Sequence, residues 1–124
     1  MIPLTITTRS TSNGPVLEIT GDLDYETVSQ LRHRLTTLAL QPGQLLVLDL
    51  GGMTFCDSSG IATFLAARNH AHAAQADIAL TTLPDHTLRV LRIVGLDQVF
   101  RLRPTSEADR EGRTPPGAVT ADQP

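Results

Sequence analysis

Alternation of apolar and polar residues predicts two short strands at the start of the chain. Leu4 and Ile6 alternate with threonines, and an apolar stretch of similar character follows at residues 16–20. The residues between them include an Asn-Gly pair, Asn13 and Gly14, followed by Pro15. An Asn-Gly pair favours the positive φ angles of a tight turn. We therefore expect residues 4–8 and 16–20 to form a β-hairpin.

A helical period then replaces the alternation. Between residues 25 and 40 the apolar positions recur at intervals of three and four, which is typical of one stripe of an amphipathic helix: Val28, Leu31, Leu35 and Leu38. Asp24 is a suitable N-cap for this helix. Pro42 and Gly43 are expected to end it.

The middle of the chain combines an aliphatic strand with an alanine-rich helix. Residues 44–50 form a nearly continuous apolar run, typical of a strand covered on both faces. We expect Gly51 and Gly52 to loosen the chain after this strand. The next helix is predicted at residues 61–74, with three large residues facing inward and three small ones allowing close packing on the sheet: Ile61, Phe64 and Leu65, and Ala62, Ala66 and Ala67.

The last elements are a strand at residues 77–83, a helix and a short strand at 98–102. Residues 87–94 fit both a helix and an alternating strand. Pro84 before them and Gly95 after them favour the helix. The resulting order is β-β-α-β-α-β-α-β, which predicts an α/β fold with helices packed against a central sheet.

Composition divides the chain into two parts. Residues 1–103 contain enough apolar side chains for one domain of ordinary size. Residues 104–124 contain four prolines, two glycines and almost no large apolar residues. Such a segment cannot bury enough surface to offset its ordering entropy, so we predict a disordered tail.

Charge and cysteine content exclude some functions and favour a location. A net charge of -3 argues against nucleic-acid binding through a broad basic surface. All cationic residues are arginine, and the absence of lysine excludes a Walker-type phosphate loop and Schiff-base chemistry. The single cysteine, Cys56, cannot form an internal disulfide. With no signal-peptide pattern and no apolar run of roughly 20 residues, we expect a cytoplasmic protein that does not enter a membrane.

Candidate chemistry is concentrated where the aliphatic strand meets the alanine-rich helix. Asp57, Ser58, Ser59 and Gly60 begin that helix. Free N–H groups and the helix dipole favour an anion at such a position. The same residues also fit a purely structural role, with Asp57 as N-cap and the serines as ordinary helix-start residues. Cys56 fits either a packing thiol or a redox-sensitive one.

These residues resemble the hallmark of the STAS family. A strand ending in Leu-Asp-Leu is followed by a short loop, a phenylalanine, one further residue and Asp-Ser-Ser-Gly with an aliphatic residue after it. Residues 21–24, Gly-Asp-Leu-Asp, resemble the family's Gly-acidic-Leu-Asp motif. Residues 94–96, Val-Gly-Leu, and 99–100, Val-Phe, also match. The resemblance covers about residues 4–103 and implies a domain with a mixed central sheet.

The resemblance implies a specific switch. In bacterial anti-sigma factor antagonists of this family, the first serine of the motif is phosphorylated by an anti-sigma factor that is also a serine kinase. The unphosphorylated form binds that kinase and frees the sigma factor, and a PP2C-type phosphatase resets the switch. Motif matching makes Ser58 the acceptor, with Ser59 less suited. The implied partner and phosphorylation surface comprises Asp22, Asp24, Asp57, Ser59 and Gly60.

Phosphorylation at Ser58 is expected to be tolerated by the fold, because the dipole and free N–H groups of a helix N-terminus accept negative charge. We therefore expect the switch to be read between molecules. No cofactor, metal or catalytic residue is implied.

The same residues are compatible with a second function and disfavour a third. The alternative is a non-catalytic STAS subunit of a larger stress-signalling or lipid-transport assembly. An enzyme is disfavoured because the chain lacks lysine and a Gly-x-Ser-x-Gly elbow, and because its four histidines form no evident base or metal set. The oligomeric state, monomer or weak dimer, stays open.

Overall fold

A computed structural model describes residues 2–103 of the chain, so the tail predicted at 104–124 lies outside the described residues. In chain order the elements are β1 (Thr5–Thr11), β2 (Gly14–Leu23), α1 (Val28–Thr37), β3 (Leu45–Cys56), α2 (Ser58–Ala73), β4 (Asp77–Thr81), α3 (Asp85–Ile93), a 3₁₀ turn (Leu96–Gln98) and β5 (Arg101–Arg103). The predicted α/β order is confirmed.

The five strands form one sheet in the order β1-β2-β3-β4-β5. β1 pairs antiparallel with β2, and the remaining neighbours pair in parallel. The sheet is therefore mixed, as expected. Because α2 connects the parallel neighbours β3 and β4, the helix begins at the carboxyl end of β3, where sites commonly lie in α/β proteins.

One hydrophobic core joins the sheet to all three helices. Alternate residues of the central strands enter it, including Leu46 and Leu48 of β3. α1 contributes its apolar stripe, α2 contributes the fully buried Phe64, and α3 contributes Leu91. Val47 points to the opposite face of β3 but is also buried. The expectation that β3 is covered on both faces therefore holds for its first half.

The predicted hairpin is present and longer than expected. Thr11 pairs with Gly14, so Ser12 and Asn13 form a two-residue turn. β2 begins at Gly14 rather than Val16 and includes Pro15, opposite Ser10. The turn also contacts β3, since the Asn13 carbonyl accepts a hydrogen bond of 2.8 Å from the Leu45 N–H.

Several predicted boundaries differ from the structure. α1 is shorter than 25–40, because the chain first makes a separate turn after β2. The final strand begins at Arg101 rather than 98, because a 3₁₀ turn occupies Leu96–Gln98. α3 ends at Ile93, leaving Val94 exposed.

The inward face of α2 also differs from its prediction. Phe64 is fully buried, but Ile61 and Leu65 are only partly buried at the edges of that face. Ala67 packs against the core as predicted, whereas Ala62 and Ala66 are exposed. The buried stripe of α2 is completed by Gly60, Thr63 and Ala71.

Two glycines with positive φ provide a matched test of the hairpin. Gly14 has φ +140°, and a Cβ there would overlap the backbone carbonyl of Leu45. Gly43 has φ +85°, with open space around its Cα. We expect Gly14→Ala to lower the free energy of unfolding by about 2–3 kcal/mol, because strain and a backbone clash add. Gly43→Ala should cost about 1 kcal/mol from strain alone. Urea denaturation measures both, and equal losses would contradict the close approach of the turn to β3.

Candidate functional site

β3 does not stop at Gly51 and Gly52 as predicted; it continues to Cys56. The pairing of β2 with β3 contains two register shifts, one between Glu18 and Thr20 and one between Gly21 and Asp22. At each shift β3 carries one extra residue, which is the mark of a β-bulge. A pair of glycines inside a strand therefore accommodates a bulge here rather than a strand end.

The second bulge arranges the residues that precede the motif. Asp22 pairs with Phe55, and Thr54 is the additional residue of β3. The Thr54 hydroxyl donates a hydrogen bond of 2.6 Å to Oδ1 of Asp22. Phe55 remains 51% exposed. Bulges next to sites commonly redirect side chains in this way.

Asp57 is the N-cap of α2, as predicted. Its Oδ1 accepts hydrogen bonds from the N–H groups of Ser59 at 2.9 Å and Gly60 at 3.1 Å. Its Oδ2 accepts a third, of 3.1 Å, from the N–H of Tyr25 in the turn between β2 and α1. One carboxylate therefore fixes both the start of α2 and the neighbouring turn.

Ser58 and Ser59 differ in accessibility. Ser58 is the first residue of α2 and is exposed, and within residues 2–103 its hydroxyl has no hydrogen-bond partner. Ser59 is half-buried, and its carbonyl accepts a hydrogen bond of 2.9 Å from the Thr63 hydroxyl. The accessible hydroxyl of the pair is thus that of Ser58.

Gly60 does not contribute to the accessible surface around Ser58. It is buried, and a Cβ at this position would lie 2.6 Å from Sγ of Cys56 and 3.0 Å from the carbonyl oxygen of Leu23. Contacts this short require the absence of a side chain. Gly60 therefore allows the first turn of α2 to rest directly on the ends of β2 and β3.

The supply of free N–H groups at this helix start is smaller than the sequence suggested. Asp57 already occupies the N–H groups of Ser59 and Gly60, and the N–H of Ile61 donates to the Asp57 carbonyl at 3.2 Å. An added phosphate on Ser58 would therefore not find the four open donors that an uncapped helix offers. Its charge would stay next to the Asp57 carboxylate.

Asp24 caps a turn and not the helix. Its Oδ1 accepts hydrogen bonds from the N–H groups of Glu26 at 2.9 Å and Thr27 at 3.2 Å. α1 begins later, at Val28, with Thr27 at its N-cap position. The N–H of Val28 donates to the Asp24 carbonyl at 2.9 Å, and Thr27 makes no side-chain cap. The predicted capping role of Asp24 therefore holds for the turn that leads into α1 and not for the first residue of α1 itself.

Asp22 binds the start of the chain. Its Oδ2 accepts a hydrogen bond of 3.2 Å from the N–H of Ile2, and its own N–H donates to the Ile2 carbonyl at 3.0 Å. The hydrogen bonds from Thr54 and then from Ile2 lower the pKa of Asp22 below its usual value. Both carboxylate oxygens are therefore used within the domain.

The sequence profile of the family described as "Mlab, STAS domain" matches residues 6–104. This chain belongs to the STAS domain family. An anti-sigma-B factor antagonist of Listeria monocytogenes is 25% identical over 85 residues, covering 68% of this chain and 75% of the relative.

Solved structures agree on the fold. An anti-sigma factor antagonist from Mycobacterium paratuberculosis has a TM-score of 0.75 at 22% identity, covering 86% of this chain and 90% of that one. The Bacillus cell fate determinant SpoIIAA in its phosphorylated form has a TM-score of 0.66 at 20% identity, covering 86% and 96%. Anti-sigma factor antagonists are thus among the relatives of this STAS domain in both sequence and fold.

Sequence reasoning missed the apolar residues next to Ser58. Tyr25 is 80% exposed, and its N–H donates a hydrogen bond to Asp57. Phe55 is 51% exposed and lies two residues before Asp57 in the sequence. Aromatic residues make up only 3% of the chain. Two of them beside one motif were an available signal, but only the structure gives their exposure.

Other kinds of site find little support in this STAS domain. Among residues 2–103, no group of three or more His, Cys, Asp or Glu side chains could hold a metal ion. His72 lies 3.8 Å from Asp77 near the far end of α2, and Arg101 pairs with the same carboxylate at 2.6 Å. In the same part of the chain, no helix has the length and apolar character needed to cross a membrane.

Asp57 provides a stability prediction. We expect Asp57→Ala to lower the free energy of unfolding by about 1–2 kcal/mol, because two helix donors and the Tyr25 N–H lose their acceptor. Asp57→Asn should cost less, because the amide oxygen can still cap the helix. Urea denaturation distinguishes the variants. Equal losses for alanine and asparagine would contradict the capping role.

Cys56 provides a reactivity prediction. Burial, followed by the nearby Asp57 carboxylate, raises the pKa of the thiol to about 12. Below that pH the thiol stays protonated, and only the thiolate is an effective nucleophile. We expect Ellman's reagent at pH 8 to react at least about 100-fold more slowly with the folded domain than with the urea-unfolded chain. Similar rates would show that Cys56 is a reactive thiol.

Proposed function

We propose that this STAS domain is an anti-sigma factor antagonist that switches partners through phosphorylation of Ser58. The unphosphorylated domain binds an anti-sigma factor that is also a serine kinase, and the sigma factor is released. Phosphorylation at Ser58 abolishes that binding, and a PP2C-type phosphatase restores it. The domain itself acts by binding, and the chemistry belongs to its partners.

One observation carries the proposal. The Ser58 hydroxyl is exposed at the first residue of α2 and has no partner among the described residues, while Asp57 fixes the helix start directly beneath it. A kinase needs an accessible hydroxyl, because the acceptor must be held in line with the transferred phosphoryl group. Ser59 is the poorer acceptor since it is half-buried.

The charge of the site explains how phosphate would prevent binding. A phosphoserine carries about -1.5 to -2 charges at neutral pH. With two helix N–H groups already occupied by Asp57, that charge remains on the surface beside a second negative group. A hundredfold loss of affinity requires about 2.8 kcal/mol. Desolvation of the phosphate and repulsion from the nucleotide phosphates of the kinase can supply that amount.

Known relatives support the assignment. SpoIIAA, which shares this fold, has been solved in a phosphorylated form, and the relative from Listeria monocytogenes is named an anti-sigma-B factor antagonist. The phosphorylated relative keeps the STAS fold, which supports a switch that is read between molecules.

The test uses the candidate serine-kinase anti-sigma factors of the same genome. Purified full-length protein is incubated with each kinase, Mg²⁺ and ATP, and phosphate is located by peptide mass spectrometry. We expect phosphate on Ser58 in the wild type and none in Ser58→Ala. Ser59→Ala and Ser29→Ala serve as controls and should still be phosphorylated, since Ser29 is an exposed serine near the start of α1.

Binding is measured in parallel by calorimetry with the phosphorylated and unphosphorylated protein. We expect phosphorylation to weaken binding at least about a hundredfold while the melting temperature changes little. Tight binding to a larger complex with no phosphate on Ser58 would favour the assembly-subunit alternative. Phosphate on Ser59 alone would overturn the assignment of the acceptor.

A further inference from the structure

The exposed large apolar side chains of the described residues fall into two groups. Ile93 and Val94 are adjacent at the end of α3, with exposed fractions of 75% and 56%. The other three are Ile2, Tyr25 and Phe55, with exposed fractions of 49%, 80% and 51%. These three come from separate parts of the chain: Phe55 lies three residues before Ser58, the Tyr25 N–H donates to Asp57, and Ile2 is bonded to Asp22, which pairs with Phe55. Exposed apolar groups that gather in this way mark interaction surfaces.

The backbone of each residue in the second group is held in place by a different contact. Phe55 lies at the second bulge of β3, where it pairs with Asp22. Tyr25 is fixed through its backbone N–H, which donates to Oδ2 of Asp57 at 3.1 Å. Ile2 is held by two hydrogen bonds to Asp22, one to its carboxylate and one from its N–H.

Gly21 permits the N-terminal segment to lie there. Its φ is +91°, and a Cβ at this position would overlap the carbonyl of Pro3. The chain before β1 therefore runs directly against the end of β2. Ile2 is held against the end of β2 through Asp22.

Three acidic residues of this region are already engaged within the domain. Asp57 accepts three backbone hydrogen bonds, Asp24 accepts two from its own turn, and Asp22 accepts from Thr54 and Ile2. The hydrogen bonds of these carboxylates stabilise the domain itself. The exposed groups left to contact a partner include these three apolar side chains and the carboxylate of Glu26, which is exposed beside Tyr25.

We propose that Ile2, Tyr25 and Phe55 are the apolar anchors through which the domain binds its kinase partner, and that Asp22 is a positioning residue for Ile2. This inference rests on the proposed function. The partner presents an apolar recess beside its nucleotide site, so that the anchors dock while the Ser58 hydroxyl meets the phosphoryl donor.

This arrangement gives the switch its physical basis. Buried apolar anchors supply most of the affinity of many interfaces. A phosphate on Ser58 would place a nearly divalent anion beside them, where closing the interface removes its water. The same apolar contacts that favour the unphosphorylated complex therefore make the phosphorylated complex unfavourable.

The test measures the affinity of the kinase identified above for single variants of the full chain. We expect Phe55→Ser, Tyr25→Ser and Ile2→Ser each to weaken binding by roughly tenfold or more, because an anchor is lost. Ile93→Ser is the matched control, since it removes a large apolar side chain that is also exposed, at the end of α3. It should leave the affinity within about twofold. Melting temperatures confirm that the variants fold.

Asp22→Asn tests the positioning role. The amide oxygen can still accept from Thr54, but the amide nitrogen cannot accept from the Ile2 N–H. We expect a loss of affinity smaller than that of Ile2→Ser, because the hydrogen bond from the Asp22 N–H to the Ile2 carbonyl remains. The double variant should lose no more than Ile2→Ser alone, because both changes act through the same anchor. A structural effect of Asp22 unrelated to Ile2 would give additive losses.

Two outcomes separate failure of this inference from failure of the proposed function. If the kinase binds and phosphorylates Ser58 but the three anchor variants bind like Ile93→Ser, the anchors are wrong and the switch stands. If the wild type is neither bound nor phosphorylated by any candidate kinase, the proposed function is wrong and the inference falls with it.

Discussion

The arrangement of the site depends on the pairing of β2 with β3 beyond residue 50. Two bulges allow ten residues of β3 to pair with eight of β2, so both strands continue side by side to Leu23 and Cys56. Without that continuation, Phe55 would belong to a loop and the start of α2 would have no fixed relation to β2. The parallel register thus converts two distant sequence segments into one surface.

The Asp57 carboxylate connects that surface to the helices. Its three hydrogen bonds satisfy donors at the start of α2 and in the turn before α1. A single side chain therefore combines a capping role with a bridging role. Structural and functional interpretations of the motif do not exclude each other here, because the residue that stabilises the helix also supports the exposed serine next to it.

Local patterns predicted the elements more accurately than their ends. The hairpin and the apolar stripe of α1 each reflect a preference of the backbone or of one helical face, so the sequence was sufficient, although the two turn residues are Ser12 and Asn13 rather than the Asn-Gly pair. The prediction of a strand end at Gly51 and Gly52 was wrong, because a glycine pair is compatible with both a strand end and a bulge. The difference lies in Thr20 on the neighbouring strand, whose side chain would overlap a Cβ at Gly52.

The roles of individual site residues depend on such non-local contacts. Asp22 and Asp24 belong to one motif, yet one binds the N-terminal segment and the other caps a turn. The exposure of Tyr25 and Phe55 likewise follows from how separate segments meet. Motif matching could place Ser58, but it could not show which neighbouring groups remain available to a partner.

The close packing at Gly60 has a consequence for how such domains diverge. Because the first turn of α2 rests on Leu23 and Cys56 through its backbone, the height of Ser58 above the sheet does not depend on any exposed side chain. STAS domains built on the same close contact can therefore exchange surface residues around this serine while the serine itself stays in place. Duplicated copies of such a domain would in this way acquire separate binding partners without a change in the underlying packing.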